Sequence, residues 1–261
     1  MNDKVPELSL VVPVLNEADN VAVLSNEIER AMDGARLQWE CVWVDDASTD
    51  GTSAALGRAQ AADARHRVLR LTRHLGQSAA LWVGFQHVRA SVLATMDGDG
   101  QNDPADLVGM YRELAESRVD MVVGIRASRR DPRLRLWSAR AAAWARRVVL
   151  GDALLDAASP VRVFRRECLR HVFPFKGMHR FLAILAQSDG CLVAQRPVGH
   201  RPRTTGVSKY GVGNRLGVGL ADLAAVAWMR RRGLRLDPRD VASHVAGAES
   251  SPRSTDEETH A

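Results

Sequence analysis

The chain alternates short apolar runs with longer helical patterns, and this alternation limits its fold more than any other feature of the sequence. Five runs predict strands: LSLVVPV (8–14), WECVWVD (39–45), RVLRLT (67–72), SVLATM (91–96) and VDMVVGI (119–125). Helical patterns fill the intervals, over 18–33, 51–64, 77–89 and onward from Pro104. This β-α-β-α order indicates an α/β fold, a mostly parallel sheet with helices on both faces.

Polar residues follow four of the predicted strands where each strand ends. They occupy the segments PVLNE (13–17), DDASTDGT (45–52), DGDGQ (97–101) and GIR (124–126). Ligands of open parallel sheets bind beyond the carboxyl ends of the strands, so four polar ends at one edge predict a binding site there. The sequence has no glycine-rich phosphate loop of the G-x-G-x-x-G or Walker type.

The segment ATMDGDGQNDP (94–104) carries two aspartates, Asp97 and Asp99, on either side of Gly98. On these residues alone two interpretations stay open: a solvated Asp/Gly turn, or a site for a hard divalent cation. Mg²⁺ takes one or two carboxylates and completes its octahedron with water and phosphate, and Gln101 adds a neutral oxygen. We expect Gly98 to permit a sharp turn.

The sequence changes character after residue 126. The segment 126–150 contains eight arginines and two tryptophans, and its apolar residues share one face of a helix predicted over 133–150. Strand-like stretches follow at 160–165 and 191–198, and a second apolar helix at 214–232 ends in three arginines. Basic amphipathic helices with tryptophan are typical of membrane interfaces, but the same faces could pack on the domain core.

Charge and cysteine content narrow the class of protein. The net charge of +5 favours phosphates, nucleic acid or an anionic membrane surface as partners. The arginines lie beside apolar helix faces without interleaved stacking aromatics, so we expect no nucleic-acid binding. The three cysteines fit no zinc pattern, and we expect reduced thiols. We expect neither a signal peptide nor a membrane span.

Five segments occur in an order that resembles family 2 glycosyltransferases of the GT-A fold: VVPVLNE, VDDASTDGT, MDGDGQNDP, VVGIR and HRPRTTGVSKYG. Within that family the chain is similar to dolichol-phosphate mannose synthases and bacterial polyprenyl-phosphate glycosyltransferases, over residues 8–232. The resemblance implies a GT-A, Rossmann-like catalytic domain over 1–212, in which the 133–150 helix faces the acceptor and the membrane. We expect a basic, interfacial amphipathic helix over 213–240 and a disordered tail over 241–261.

The resemblance also implies roles for residues that match the family's motifs. The nucleotide would be held by the ends of the first two strands, at Pro13, Leu15, Glu17, Val44 and Asp46. Leu15 stands where relatives usually carry tyrosine, which weakens one packing contact against the base.

The D-x-D element of the family falls on Asp97, Gly98 and Asp99. The resemblance makes Asp99 and Gln101 ligands of Mg²⁺ or Mn²⁺, while Asp97 faces the ribose or sugar of the donor. Arg126 matches an arginine near the phosphates, and Arg203 with Lys209 matches a basic pair at the diphosphate and the acceptor phosphate. We expect Asp99, Arg126, Arg203 and Lys209 to carry catalysis.

These roles predict inverting transfer of a sugar from a nucleotide-diphosphate sugar, GDP-mannose or a UDP-sugar, to a dolichyl or undecaprenyl phosphate. A lipid monophosphate is anionic near neutral pH and needs little or no general base. We expect a cytoplasmic enzyme, peripheral on the inner face of the membrane, with a separate small membrane protein as a candidate partner. A soluble or cell-envelope glycan acceptor is the alternative. Asp156 aligns with a family aspartate, and either orients sugar hydroxyls or is structural.

Overall fold

The computed structural model describes residues 4–126, 146–151, 153–202 and 215–232. Within these ranges seven strands form one sheet: β1 Leu8–Val14, β2 Trp39–Asp45, β3 His66–Arg70, β4 Val92–Thr95, β5 Met121–Arg126, β6 Arg162–Arg165 and β7 Val193–Val198. Six helices accompany them: α1 Ala18–Gly34, α2 Thr52–Ala62, α3 Gln77–His87, α4 Pro104–Glu116, α5 Met178–Ser188 and α6 Arg215–Arg232. Residues 146–150 are also helical, and Arg166–Leu169 form a 3₁₀ turn.

The strand order is β3-β2-β1-β4-β6-β5-β7. All pairs are parallel except those of β6, which runs antiparallel to β4 and to β5. The chain first builds outward from β1 to β3 and then returns to the other side of β1 as β4. The order therefore reverses between β1 and β4, and the crevice at their carboxyl ends is the expected place for a ligand.

Both faces of the sheet are covered, which explains why β1 and β2 are nearly continuous apolar runs. One core cluster lies between the sheet and helices α3 and α5, where Val11 of β1 shares the cluster with Phe85 and Leu182. The other lies under α1, α2 and α4, with Val12 and Leu24 as members. Helix α6 packs outside α5 and adds buried side chains to the first cluster.

The α/β fold predicted from the sequence is confirmed, and β1 and β2 have the predicted bounds. Helix α5 was not predicted. Most of the helix predicted over 133–150 lies outside the described residues, as do the ends of 213–240 and the whole of 241–261. In the part of the chain that is described, no helix is long and apolar enough to cross a membrane.

Candidate active site

The segments PVLNE and DDASTDGT interlock beyond the ends of β1 and β2. The backbone N–H of Asn16 donates to Ser48 Oγ at 2.9 Å, and Asn16 Oδ1 accepts from the Thr49 N–H at 2.8 Å. The N–H of Glu17 donates to Thr52 Oγ1 at 2.8 Å. Asn16 adopts a left-handed backbone with φ 53°, a conformation that asparagine tolerates better than most residues. These bonds fix the two segments as one unit.

Asp46, predicted to hold the nucleotide, is buried and binds the loop that enters α3. Its oxygens accept from the backbone N–H groups of Leu75 at 2.7 Å and Gly76 at 2.8 Å. His74 Nδ1 lies 2.7 Å from the same carboxylate. The structure therefore gives Asp46 a role in shaping the β3–α3 loop, which the sequence did not indicate.

The Asp97–Gln101 turn follows β4 and lies against the end of β1. A side-chain carbon added to Gly98 would lie 2.4 Å from Val14 Cγ1 and 3.2 Å from the carbonyl oxygen of Pro13. Glycine is required at this position for close approach, and Gly98 also lies within the turn. The positive φ of the turn, 72°, belongs to Gly100.

The polar side chains of this turn are already oriented by the protein. Gln77 Nε2 donates to Asp97 Oδ1 at 2.7 Å. The backbone N–H of Gln101 donates to Asp99 Oδ1 at 3.2 Å. Asp97 is thereby connected to the first residue of α3, whereas Asp99 points within the turn toward Gln101.

Arg201 anchors the turn from outside. Its guanidinium lies 2.8 Å from Glu27 Oε1 on α1 and 2.6 Å from Asp103 Oδ2. Asp103 in turn caps α4, accepting from the Ala105 N–H at 3.0 Å. Sequence reasoning missed Arg201, because nothing in the motif order distinguishes it from the other arginines of its segment.

A cleft of about 680 Å³ opens beside Asp97, between the start of α3, the end of β4 and the start of α5. Its polar lining residues are His74, Gln77, Ser78, Thr95, Asp97, Arg162, Lys176, His179 and Arg180. Of these only Asp97 was predicted. The others come from segments without a recognised motif, and the one available signal was the basic stretch KGMHR (176–180) ahead of an apolar run.

His179 lines this cleft with an uncharged imidazole. Burial, assisted by the charges of Arg180 and Arg162, lowers its pKa to about 3. Its Nδ1 lies 2.8 Å from Ser78 Oγ, and that hydroxyl oxygen accepts from the Gly177 N–H at 3.1 Å. The imidazole is therefore unprotonated at neutral pH and is held by the first turn of α3.

For several of the remaining predicted residues the structure describes only the backbone, or the residue lies outside its described ranges. Pro13 and Val44 are paired across β1 and β2, next to Leu15 and Glu17 at the same edge. Arg126 ends β5, and its side chain is not among those described. Arg203 and Lys209 lie outside the described residues, as does the segment between them. Asp156 has a backbone carbonyl that accepts from the Ser159 N–H at 3.1 Å, in the turn before β6.

The fold is of the GT-A type found in glycosyltransferases of known structure. Glucosyl-3-phosphoglycerate synthase of Mycobacterium tuberculosis, solved with Mn²⁺ and UDP-glucose, matches with a TM-score of 0.65 at 21% identity. That match covers 86% of this chain and 79% of the solved one. A mannosyltransferase of Pyrobaculum calidifontis, solved with GDP-mannose and Mn²⁺, has a TM-score of 0.63 at 22% identity, covering 89% and 66%.

Sequence comparison then gives the family. The model described as "Glycosyl transferase family 2" matches residues 9–173, and the chain belongs to that family. It is 34% identical over 234 residues to dodecaprenyl-phosphate galacturonate synthase of Rhizobium johnstonii. It is 32% identical over 204 residues to undecaprenyl-phosphate 4-deoxy-4-formamido-L-arabinose transferase of Pseudomonas fluorescens. The two matches cover 86% and 78% of this chain but 68% and 60% of the relatives' own lengths.

Proposed function

We propose that this glycosyltransferase moves a sugar from a nucleotide-diphosphate sugar to a polyprenyl phosphate. In a single displacement, a phosphate oxygen of the acceptor bonds to C1 of the sugar while the bond from C1 to the diphosphate oxygen breaks. The nucleoside diphosphate leaves, and the configuration at C1 is inverted. The relatives from Rhizobium johnstonii and Pseudomonas fluorescens are named for lipid-phosphate acceptors, which supports this substrate class.

The observation that carries the proposal is the charge of the cleft beside Asp97. Apart from its histidines, the described lining residues include three cations, Lys176, Arg180 and Arg162, and one acid, Asp97. A hydroxyl acceptor requires a general base to take its proton. Of the described candidates in the lining, Asp97 is engaged by Gln77, His74 is paired with Asp46, and His179, with a pKa of about 3, takes up protons poorly. A phosphate acceptor arrives ionised and is attracted by the cations.

We place the donor across the ends of β1, β2 and β4. Pro13, Leu15, Glu17 and Val44 would hold the nucleoside, and Asp46 would act on it through the loop that it shapes. Support for this placement comes from the interlocked PVLNE and DDASTDGT segments, which line the edge where the strand order reverses. The diphosphate would lie toward Arg126, Arg203 and Lys209, since Arg203 follows the anchored Arg201 by two residues.

The residues at the Asp97–Gln101 turn fit a magnesium or manganese ion. No group of three acidic, histidine or cysteine side chains among the described residues could hold a metal by itself. A hard divalent ion that shares a diphosphate needs only one or two carboxylates, and Asp99 with Gln101 provides one together with an amide oxygen. We propose these two as the protein's ligands. The ion would stabilise negative charge on the leaving diphosphate.

We further propose that the enzyme works on the cytoplasmic face of an anionic membrane, peripherally. Several large apolar side chains are exposed on the second half of the chain: Val148, Val149, Leu155, Phe173 and Trp228. Exposed arginines lie beside them in sequence, at 147, 231 and 232. The guanidinium of Arg230 donates to the Leu150 carbonyl, so α6 and the helical residues 146–150 are neighbours. Basic helices with tryptophan bind such interfaces. A small membrane protein would supply a second attachment.

A panel of donors incubated with undecaprenyl phosphate and either Mg²⁺ or Mn²⁺ tests the function. We expect a lipid-phase sugar phosphate with one GDP- or UDP-sugar, detected by mass spectrometry, and loss of that product with EDTA. The Asp99→Ala variant should lose metal-dependent transfer. Transfer to a soluble glycan in place of the lipid would overturn the choice of acceptor, and unchanged turnover in Asp99→Ala would overturn the metal site.

A further inference from the structure

We infer that Lys176 and Arg180, facing the first turn of α3, form the binding site for the acceptor's phosphate group. The inference rests on the proposed function, since it takes the acceptor to be a polyprenyl phosphate. It adds a second basic site to the Arg203–Lys209 pair. None of the motifs in the sequence indicates this second site. We assign the phosphate of the acceptor to this site and the diphosphate of the donor to Arg126, Arg203 and Lys209.

The two cations line the same cleft as Asp97 and come from the segment in which α5 begins. Lys176 lies in the loop before α5 and Arg180 in the first turn of that helix. Lys176 is exposed and forms no ion pair within the described part of the chain. Arg180 Nη1 lies 3.9 Å from Asp222 Oδ2, at the outer limit of an ion pair, and the Arg180 side chain is 41% exposed. Both charges are therefore available to an incoming anion.

The facing wall supplies hydrogen-bond donors. Gly76, the residue before α3, and Gln77 and Ser78, its first two residues, line the same cleft. The Gly76 N–H already donates to Asp46 Oδ2, so the donors offered to a ligand here are the backbone N–H groups of Gln77 and Ser78. The first N–H groups of a helix have no partner within the helix and carry partial positive charge, so an anion is favoured there. Cations on one wall and a helix start on the other are the combination that a phosphate monoester requires.

The two walls are joined by hydrogen bonds, which fixes the width of the site. Ser78 Oγ accepts from the Gly177 N–H and lies 2.8 Å from His179 Nδ1. Arg162 Nη2 donates to the His179 carbonyl at 2.6 Å. Gly177 itself has φ 93°, in the left-handed region that favours glycine. The start of α5 is thus held against the start of α3 before any ligand arrives.

The site also explains the position of Asp97. This acid lies in the same cleft as the cations but is connected through Gln77 to the helix start. An anionic acceptor bound at Lys176 and Arg180 would sit beside the donor's sugar, which we place at Asp97. The phosphate oxygen would then reach C1 without crossing the diphosphate.

Direct binding tests the inference independently of turnover. The probes are undecaprenyl phosphate and undecaprenol, which lacks the phosphate, each in detergent micelles. The variants are Lys176→Gln, Arg180→Gln and the double change, with Arg170→Gln as the control, because Arg170 is an exposed arginine outside the cleft. We expect the wild type and the control to prefer the phosphate lipid. Each single change should weaken its binding about tenfold, the effect of losing one charge-assisted hydrogen bond.

Binding of the nucleoside diphosphate, measured in the same variants, distinguishes a failure of this inference from a failure of the proposed function. Affinity for the nucleoside diphosphate should change less than twofold in all variants. Unchanged binding of the phosphate lipid in the double variant would overturn the inference, and so would an equal loss of nucleoside diphosphate, which would place the cations at the donor. A wild type that binds the phosphate lipid through these residues but forms no product would support the site while refuting the transfer reaction.

Discussion

Gln101 and Arg201 hold each other through two hydrogen bonds, although they lie 100 residues apart in the chain. The backbone N–H of Arg201 donates to the Gln101 carbonyl at 2.8 Å, and Gln101 Nε2 donates to the Arg201 carbonyl at 3.3 Å. A proposed metal ligand is thus fixed by the residue that lies two positions before Arg203. The turn at the end of β4 and the start of the basic segment are mechanically connected.

Replacing Arg201 with alanine should weaken metal binding more than it weakens the fold. The change removes the contacts with Glu27 and Asp103 and loosens the turn that carries Asp99. Loss of residues that orient metal ligands typically costs about tenfold or more in metal affinity, whereas partly exposed ion pairs contribute about 1 kcal/mol or less to stability. Mn²⁺ affinity by electron paramagnetic resonance and unfolding in urea measure the two effects.

Arg196→Ala is the matched control for that variant. Arg196 also forms a partly exposed ion pair, with Glu113 at 3.2 Å, but it lies on β7 away from the Asp97–Gln101 turn. We expect its Mn²⁺ affinity to equal that of the wild type. If Arg201→Ala bound Mn²⁺ as tightly as this control, the proposed role of the Arg201 side chain in orienting the turn would be refuted.

Gly98→Ala should impair donor binding. The added carbon would lie 2.4 Å from Val14 Cγ1, so the end of β1 or the turn must move. Overpacking of this kind costs about 1–3 kcal/mol of stability, and a shift of about 1 Å in a site can lower activity on the order of 100-fold. Turnover at varied donor concentration and thermal unfolding check the expectation.

Gly57→Ala controls for the effect of adding a methyl group. Gly57 lies within α2, and nothing comes within 4 Å of a carbon added there. The change should stabilise the protein by up to about 1 kcal/mol and leave turnover unaltered. If Gly98→Ala also kept the turnover of the wild type, the requirement for close approach at the end of β1 would be contradicted.

His66 should make the fold less stable in mild acid. Its ring is fully buried, with Nδ1 accepting from Trp43 Nε1 at 3.0 Å and Nε2 lying 3.1 Å from Glu29 Oε1. Burial lowers its pKa below the ordinary value of 6.5. The unfolded chain therefore binds a proton near pH 6.5 that the folded chain rejects, so stability is present above that pH and falls as the pH drops below it.

For this one group the loss of stability cannot exceed about 1.4 kcal/mol per pH unit, the limit for a single proton. His179 contributes in the same direction, since its pKa is also lowered, and it remains in the variant His66→Gln. Urea unfolding followed by tryptophan fluorescence between pH 5 and 7.5 should show a shallower dependence in His66→Gln than in the wild type. Parallel dependences would refute the assignment to His66.

Glu40 should stabilise the fold without affecting turnover. It is buried near the amino ends of the strands, where it accepts from Ser9 Oγ at 2.6 Å and contacts Arg67 at 2.9 Å and Arg89 at 2.8 Å. Burial raises its pKa, but these hydrogen bonds outweigh it and hold the pKa below the ordinary value. Glu40→Gln should cost about 2 kcal/mol or more, because two guanidinium groups lose their charge partner.

Urea unfolding and turnover of Glu40→Gln are to be measured on the same preparation. Asp63→Asn offers a comparison, since Asp63 pairs with Arg65 at 2.6 Å in a more exposed setting. That change should cost about 1 kcal/mol or less. Equal stability of the two variants would show that the buried carboxylate contributes no more than a surface pair.

The strand ends at which we place the donor could be located from the sequence because their signals are local. Each strand there is an apolar run followed at once by its polar residues, as in VVPVLNE and VWVDDASTDGT. The bounds of β1 and β2 were therefore correct to the residue. The structural role of Asp46 could not be predicted, since the N–H groups of Leu75 and Gly76 reach its carboxylate only after α3 has packed.

The site that we propose for the acceptor phosphate could not be predicted because it is assembled by tertiary structure. Lys176 and Arg180 are about 80 residues from Asp97, and no short spacing relates them. Arg162 lies in RVFR, a strand-like segment that gives no sign of a guanidinium that is only 1% exposed. Its burial follows from the position of β6 between β4 and β5, which only the folded sheet reveals.

The reversed strand β6 has a consequence for how such enzymes diversify. The strand ends at which we place the nucleoside and the metal arise between residues 8 and 103, whereas Lys176 and Arg180, where we place the acceptor phosphate, follow the inserted antiparallel strand β6. Substitutions in the later segment can alter which acceptor is used while the earlier one continues to recognise the same nucleotide. Donor preference and acceptor preference can then change independently. Exchanging residues 157–190 between relatives should transfer the acceptor preference and leave the donor preference unchanged.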